Sequence, residues 1–372
     1  MNRSRLLLVS CITITFALGA SAFRAALPST GVGSVVVAGQ MIEPRSGHTA
    51  TLLLDGKVLI AGGMRRNQDF YKSAELYDPA TGKFQRVAGE MNERRVGHIA
   101  VLLRSGKVLI AGGWIGRGAT DSAELYDPAT QKFSAIAKMT ALRGRPSATL
   151  LANGDVLVAG GQDRDSLDGI LASAEIFHAA TMTFHPVGSM HARRIAHTAT
   201  LLRDGRVLIA GGRGGDRLNG SAEIYDPKTA QFTETGTMIT ARYKHKAGLL
   251  PDGRVLIAGG SDERDWHGTL SSAEIYDPGV GKFATTAPLN ESRFKLPDEA
   301  VRLGSGRLLI AGGSKRAEIY DPAIGKFLVA SGEMDKDWHY LSETELRDGS
   351  VLLAGGYPDG DQTTSQTWIY RP

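Results

Sequence analysis

The sequence predicts an all-β protein, a seven-bladed propeller in which each blade is a four-stranded antiparallel sheet. Three observations support this prediction: an apolar run ending in a Gly pair recurs seven times, a two-residue turn ending in Gly precedes each run, and the two chain ends carry complementary parts of one repeat. The Gly pairs begin at residues 62, 112, 160, 211, 259, 312 and 355. A period of about 50 residues is typical of repeat architectures such as propellers.

Each repeat contains four predicted strands in a fixed order. Residues 48–54 form the first strand, which the turn Asp55-Gly56 joins to the second strand, VLIA at 58–61. Asp-Gly pairs favour tight hairpins, because Gly accepts a positive φ without a Cβ clash. The second strand is apolar throughout, as in strands covered on both faces, and its Gly pair is expected to let a neighbouring sheet approach closely. ELYDP at 75–79 is the third strand, and Phe84 begins the fourth.

The last repeat lacks its own fourth strand, and a segment near the amino terminus matches the missing part. Residues 368–372 (WIYRP) align with residues 75–79 of the first repeat. Residues 34–41 (SVVVAGQM) match residues 84–91 (FQRVAGEM), which form a fourth strand. We therefore expect both segments to share one blade, an arrangement that removes an open sheet edge.

The first 22 residues are typical of a secretory signal peptide. Two arginines precede an apolar stretch, and ASA at 20–22 is a small-residue cleavage site. The expected mature chain has a short linker at 23–33 and the propeller at 34–372. It would have no membrane span and would be exported to the periplasm or the extracellular space. Cys11, the only cysteine, would leave with the signal; a second interpretation is a lipoprotein signal lipidated at Cys11.

Residues 34–372 resemble the Kelch repeat family. The shared features are Arg-x-x-His, the hairpin, the Gly pair, the Glu-x-Tyr-Asp-Pro strand and an aromatic start to the last strand, where Phe replaces the usual Trp. More distantly, the chain resembles galactose oxidase and the bacterial periplasmic N-acetylneuraminate epimerase. Because galactose oxidase depends on a Cys–Tyr crosslink beside copper, a mature chain without Cys is not expected to share its copper-radical chemistry. The sequence also shows no metal-ligand cluster or cofactor-binding loop, so no cofactor is expected.

Two sets of repeated polar residues allow both a structural and a functional interpretation. The basic residues either form a ring of cations for a carboxylate or sulfate or pair with repeated glutamates. The basic residues are Arg45, Arg95, Arg143, Arg194, Arg242 and Lys295, and the glutamates are Glu75, Glu124, Glu175, Glu223, Glu274 and Glu318. Four histidines also recur, His48, His98, His197 and His245. Structural hydrogen bonds are favoured over a metal site, because packed sheets lie about 10 Å apart.

Residues that break the repeat on the face with longer loops are the candidates for ligand binding. They are Arg143, Arg145, Lys295, Asp298, Glu299, Trp338, His339, Tyr340, Trp114, Trp266, Arg213 and Tyr357. Trp near Asp, Arg and His suits a carbohydrate surface, since the ring stacks on a sugar while polar groups bind its hydroxyls. Divergent, solvated loops are the alternative.

These patterns favour a rigid scaffold that binds a glycan or a protein. Nucleic acid is not an expected partner, because a net charge of +4 over 372 residues is small and nucleic-acid binding usually needs a concentrated basic stripe. One alternative is a carbohydrate-active enzyme resembling the epimerase, with Asp298 or Glu299 and His339 as an acid–base pair. Another is a structural component of a cell-envelope assembly.

Overall fold

The structure, a computed structural model, describes residues 31–66, 69–262, 268–296, 299–358 and 362–372. Within these ranges the strands form seven four-stranded antiparallel sheets, one for each repeat, which we number as blades one to seven in chain order. The first strands of neighbouring blades contact one another in a closed ring, so they line a central channel. The predicted seven-bladed propeller is confirmed.

The strands are numbered β1 to β30 along the chain. The first strands are β2 (Thr49–Leu52), β8 (Ile99–Leu102), β12 (Ser147–Leu150), β16 (Thr198–Leu201), β20 (Lys246–Leu249), β24 (Val301–Arg302) and β28 (Ser342–Glu345). The second strands are β3 (Val58–Ala61), β9 (Val108–Ala111), β13 (Val156–Ala159), β17 (Val207–Ala210), β21 (Val255–Ala258), β25 (Leu308–Ile310) and β29 (Val351–Ala354). The third strands are β6 (Ala74–Asp78), β10 (Ala123–Asp127), β14 (Ala174–His178), β18 (Ser221–Asp226), β22 (Ala273–Asp277), β26 (Glu318–Asp321) and β30 (Gln366–Arg371). The fourth strands are β7 (Lys83–Arg86), β11 (Lys132–Ala135), β15 (Thr183–Pro186), β19 (Gln231–Thr237), β23 (Lys282–Thr286), β27 (Lys326–Val329) and β1 (Ser34–Gln40).

Short elements outside the blades occur in the loops that follow the Gly pairs. In blade one, β4 (Met64–Arg66) pairs with β5 (Asp69–Phe70), and in blade three Leu167–Gly169 form a 3-10 turn. Among the described residues no helix has the length and hydrophobicity needed to cross a membrane.

The apolar second strands are buried because each blade is packed between two others. Every residue of β3 is buried. One core cluster joins Leu76 of blade one to Val108 and Tyr126 of blade two, so the hydrophobic core is shared between neighbouring blades.

The first glycine of each pair lies where the next blade comes closest. A Cβ atom at Gly62 would lie 2.7 Å from the carbonyl oxygen of Arg95 and 2.7 Å from Cε1 of His98, both in blade two. Gly62 also has a φ of +61°, which favours glycine. The predicted close approach at the Gly pair is therefore confirmed.

Blade seven is completed by the amino-terminal segment, as the sequence predicts. Strand β1 pairs antiparallel with β30, with Ser34 opposite Arg371 and Val35 opposite Tyr370. Val35 is 4% exposed and belongs to the core cluster between blades six and seven. The segment is thus an integral strand of its sheet.

Blade six has two residues more than blade five between the repeated arginine and the first strand. In blade five, Lys246 lies four residues after Arg242 and pairs with Ala258. In blade six, the register of β24 and β25 makes Glu299 the matching residue, and Glu299 lies six residues after Arg293.

The longer connection in blade six changes two backbone contacts. The N–H of Ala300 donates to the carbonyl oxygen of Ala247 in blade five (2.8 Å). In a regular blade the N–H at the position of Ala311 donates to a carbonyl oxygen of the first strand. In blade six the N–H of Ala311 donates instead to the Glu343 carboxylate of blade seven (3.2 Å). A side chain from the next blade thus replaces part of the strand pairing.

Candidate functional site at the channel mouth

A buried arginine holds the linker at the start of six blades. Arg194 is 0% exposed, and its Nη2 lies 2.9 Å from Oε1 of Glu223. Glu223 also accepts the backbone N–H of His191 (2.7 Å). The same ion pair recurs as Arg45–Glu75, Arg95–Glu124, Arg143–Glu175, Arg242–Glu274 and Arg293–Glu318. The structural interpretation of the repeated arginines is confirmed.

This pairing buries one of the candidate ligand-binding residues, Arg143, and changes the repeat position assigned to another, Lys295. Arg143 is 0% exposed and its Nε lies 2.7 Å from Oε1 of Glu175, so a ligand has no access to it. Lys295 is not the basic member of the ion pair in blade six, because Arg293 has that role. Lys295 lies two residues further along, at the channel mouth.

Two tryptophans replace the ion pair in blade seven. Trp338 occupies the position of the repeated arginine and Trp368 that of the repeated glutamate, and their ring centroids are 5.8 Å apart. They are 4% and 1% exposed, and Nε1 of Trp338 donates to Asp335 (3.1 Å). The expectation that Trp338 stacks on a ligand is corrected, because its ring is part of the core.

The four repeated histidines bind hydroxyl groups of the preceding blade. His197 Nε2 lies 2.8 Å from Ser147 Oγ, and burial is the main cause that lowers the pKa of His197 to about 3. His48 Nε2 lies 2.9 Å from Ser342 Oγ, and burial likewise lowers the pKa of His48 to about 3. The other two contacts are His98 with Thr49 and His245 with Thr198, and burial places both pKa values well below 6.5. These histidines are neutral structural residues.

Where the histidine is missing, the facing hydroxyl is missing too. Blade three has Pro146 at the histidine position, and Ile99 stands at the position of the partner hydroxyl in blade two. Blade six has Leu296 at the histidine position, and Lys246 stands at the partner position in blade five. The substitutions therefore occur in matched pairs across blade boundaries.

His339 does not belong to this set and is also inaccessible. It is 4% exposed, and its ring centroid lies 5.2 Å from that of Phe294 and 5.8 Å from that of Tyr357. Nδ1 lies 3.4 Å from the carbonyl oxygen of Phe294. His339 therefore supports the aromatic surroundings of the mouth, and it does not line the mouth cavity described below.

Seven residues, one from each blade, have a left-handed backbone conformation at the channel mouth, and we call them the mouth ring. Their φ values lie between +49° and +60°. They are Gly47, Gly97, Arg145, Ala196, Lys244, Lys295 and Tyr340. Backbone hydrogen bonds link neighbouring members, for example from Arg145 N–H to Gly97 (2.8 Å). Five of the seven are not glycine, although this conformation costs other residues about 1–2 kcal/mol.

A cavity of about 280 Å³ lies inside the mouth ring. Its lining includes Arg145, Lys244, Tyr340 and Glu343, together with the neutral histidines of blades one, two and four. A volume close to the lower end of the range for small-molecule sites, about 300–1,000 Å³, suits a small ligand or a single projecting group.

Arg145 extends from blade three to blade seven across the cavity wall. Its Nη1 donates to the hydroxyl of Tyr340 (3.1 Å), and its Cζ lies 4.9 Å from the centre of that ring. A Cβ atom at Gly97 would lie 2.8 Å from Cγ of Arg145. Glycine at position 97 therefore leaves the space that the arginine occupies.

The two lysines of the mouth ring lie against aromatic rings. Lys244 Nζ is 4.5 Å from the ring centroid of Tyr243. Lys295 Nζ is 5.0 Å from that of Phe294 and 5.4 Å from that of Tyr357. These are cation–π distances, and they hold both ammonium groups close to the mouth.

Glu343 is a cavity residue that the sequence analysis missed. Its Oε1 lies 2.6 Å from Nζ of Lys246, and the two side chains are 1% and 0% exposed. Burial raises the pKa of Glu343, while Lys246 acts in the opposite direction. A signal was available, since every other blade has Ala at the matching position: Ala50, Ala100, Ala148, Ala199, Ala247 and Ala300.

The remaining candidates do not all meet at one place. Glu299 is exposed and lines a second cavity of about 910 Å³, together with Arg302 and Glu345. Trp114, Arg213 and Tyr357 follow Gly pairs, and each forms a backbone bridge to the linker of its own blade. Asp298 and Trp266 lie outside the described residues.

Comparison with known proteins finds a motif match for part of this seven-bladed propeller and a structural match for most of it. The Kelch motif matches residues 44–89, 98–140 and 195–239. A fungal alcohol oxidase of the AA5 family, in complex with copper, has a similar structure, with a TM-score of 0.74 and 16% identity over 92% of this chain and 77% of the oxidase. No curated protein sequence matches the chain. Three of the seven repeats thus match the Kelch motif, and the propeller is similar in fold to the AA5 oxidase; the expected resemblance is confirmed at that level.

The described residues do not fit a copper ion like the one in that oxidase. Among them, no three His, Cys, Asp or Glu side chains are grouped so that they could hold a metal ion. The repeated histidines also use Nε2 for contacts between blades.

Proposed function

We propose that the protein is a recognition module that binds an anionic glycan or protein segment at the channel mouth and performs no chemistry on it. The observation that carries the proposal is the mouth ring. A regular propeller could place glycine at all seven positions, yet this chain keeps Arg145, Lys244, Lys295 and Tyr340 there. Strained backbone that carries functional side chains is typical of binding sites.

The chemistry of these side chains favours a negatively charged ligand. Three of the four are cations, and charge-assisted hydrogen bonds to carboxylate or sulfate oxygens are stronger than neutral ones. Tyr340 and Tyr357 add aromatic surface next to the cations, which suits the apolar face of a sugar or of a peptide side chain. A cation ring was one of two interpretations of the repeated basic residues; the ring proposed here shares only Lys295 with that set.

The enzymatic alternative is less favoured, because Glu299 and His339, suggested by the sequence as an acid–base pair, are not brought together in the mouth cavity. His339 is buried between two aromatic rings, and Glu299 lines the second cavity. Neither residue lines the mouth cavity. We therefore keep binding without turnover as the proposed function, in a protein that we further propose to be exported.

Arrays of acidic and neutral glycans and peptides test the proposal, followed by calorimetry with the best acidic probe. Arg145→Ala and Lys244→Ala should each weaken binding by about 10- to 100-fold, the effect of one lost charged hydrogen bond. Lys132→Ala removes the same charge from an exposed fourth strand and should leave the affinity unchanged. A preference for neutral probes, equal affinities for all variants, or conversion of a bound sugar detected by mass spectrometry would contradict the proposal.

A further inference from the structure

Glu343 offers a second recognition point in the mouth cavity. It lines both the mouth cavity and the larger second cavity, so it lies at the boundary between them. Its side chain is 1% exposed. The cavity therefore presents cations at its rim and a carboxylate at its inner end.

One oxygen of this carboxylate lacks a donor among the described residues. Oε1 accepts the N–H of Ala311 and contacts Lys246. Oε2 has no hydrogen-bond partner within the described part of the chain. Buried carboxylate oxygens normally have donors, because leaving one unsatisfied is costly. A donor supplied by a ligand would satisfy it.

The neighbouring lysine decides which kind of donor fits. Lys246 Nζ lies 2.6 Å from Oε1, so the Glu343 charge is already matched by a cation. A ligand ammonium would add a second positive charge close to Lys246, and like charges at short range repel. A neutral hydroxyl donates to Oε2 without that repulsion.

We infer that the ligand of the mouth cavity is a small hydroxylated anion, whose charge binds at Arg145 and Lys244 and whose hydroxyl group donates to Glu343. This inference rests on the proposed function and narrows it. The cavity volume of about 280 Å³ suits one sugar-sized unit better than a folded protein segment. A glycan terminus or a free hydroxy acid has the required chemistry.

Calorimetry with the full chain and matched probes tests the inference. Glucuronate and galacturonate carry a charge and hydroxyl groups, glucose has only hydroxyl groups, and cyclohexanecarboxylate is a charged ring without them. At least one uronate should bind about 10- to 100-fold more tightly than either reference compound, since a lost hydrogen bond to a charged group has that effect. A methyl glycoside that binds as tightly as the free uronate favours a glycan terminus, and one that does not favours a free acid; both agree with the inference.

The role of Glu343 is tested by the double substitution Glu343→Leu and Lys246→Met, which leaves neither partner buried with an uncompensated charge. The uronate preference should disappear, while cyclohexanecarboxylate binding is retained. If the double variant does not fold, Glu343→Gln replaces it, with the same expected loss of preference. A preference that survives in a folded variant overturns the inference. Equal binding of uronates and cyclohexanecarboxylate to the unmodified chain also overturns it but leaves the proposed function standing, whereas failure of every anion to bind overturns both.

Discussion

Blade four and blade seven fill the same buried pair of positions with different side chains. Blade four buries Arg194 against Glu223, whereas blade seven buries Trp338 against Trp368 at the matching positions. Both residues of the pair are replaced together in blade seven. In the same way, a blade that lacks the repeated histidine also lacks the hydroxyl at the partner position. A change that is matched by its contact partner preserves packing, and it therefore says little about ligands.

The mouth ring and Glu343 show the opposite behaviour. The ring residue changes from Gly97 in blade two to Arg145 in blade three, while the backbone conformation stays left-handed. Glu343 stands where the other blades have alanine. Changes that keep the local structure and bring charge to one cavity are the better indicators of function.

The largest expected effect tests whether the tryptophan pair and the ion pair are interchangeable. Trp338→Arg alone should lower the free energy of unfolding by about 3–5 kcal/mol, because it buries an uncompensated charge. Adding Trp368→Glu should recover a large part of this loss. Urea denaturation of the two single variants and the double variant gives the coupling energy; additive losses would show that the two positions vary independently.

A smaller effect is expected from the neutral histidines of the regular blades. Their pKa is lower in the folded protein, about 3 for His48 and His197, than the ordinary value of 6.5. The unfolded state thus binds more protons between these values, so stability is complete above about pH 6.5 and falls as the pH drops toward 3. Each histidine contributes a slope of up to about 1.4 kcal/mol per pH unit.

Thermal unfolding between pH 4 and 8 measures this dependence. Replacing His197 and its partner together, as His197→Leu with Ser147→Ala, should reduce the slope. His185→Ala, at an exposed position on a fourth strand, serves as the control and should leave the slope as it is. An unchanged slope in the paired variant would refute the assigned role of the buried contact.

The smallest effect separates strain from recognition within the mouth ring. Ala196→Gly and Lys244→Gly both relieve a left-handed backbone, with φ of 53° at each residue. Ala196→Gly should raise the free energy of unfolding by about 0.5 kcal/mol, since the relieved strain slightly exceeds the added chain entropy. Lys244→Gly should raise it less, because it also removes the contacts of the ammonium group with Tyr243 and Phe294. Only Lys244→Gly should weaken binding of the acidic probe. Equal binding losses in the two variants would indicate that backbone geometry, and not the ammonium group, controls affinity.

Much of the fold followed from local sequence patterns. The Asp55-Gly56 turn and the apolar residues 58–61 sufficed to predict a hairpin with a buried second strand, because turn chemistry and side-chain alternation act over a few residues. The match of residues 34–41 to a fourth strand predicted the closure of blade seven. The described structure does not test the signal peptide, because residues 1–22 lie outside it.

The site was harder to predict, because its residues are far apart in the chain. The departures from the repeat predict ligand contacts for Arg145 and Tyr340, which line the mouth cavity. The same criterion also selects Trp338 and Arg143, which are buried. The sequence does not show whether the side chain of a large aromatic or charged residue in an irregular segment points into the core or toward a ligand site. Glu343 was missed because it lies inside a strand that otherwise follows the pattern.

The sequence by itself determined the number of blades, the order of strands in each and the segment that closes the ring, since all three depend on repeated local patterns. Only the tertiary structure decided which polar residues pair inside a blade and which line the mouth cavity. The contact between Arg145 and Tyr340 joins residues 195 positions apart. The two extra residues in blade six also move its first strand out of alignment with the other repeats, so alignment of the repeats alone does not match its residues correctly. Contacts of that kind depend on ring closure, which brings together side chains that no local pattern relates.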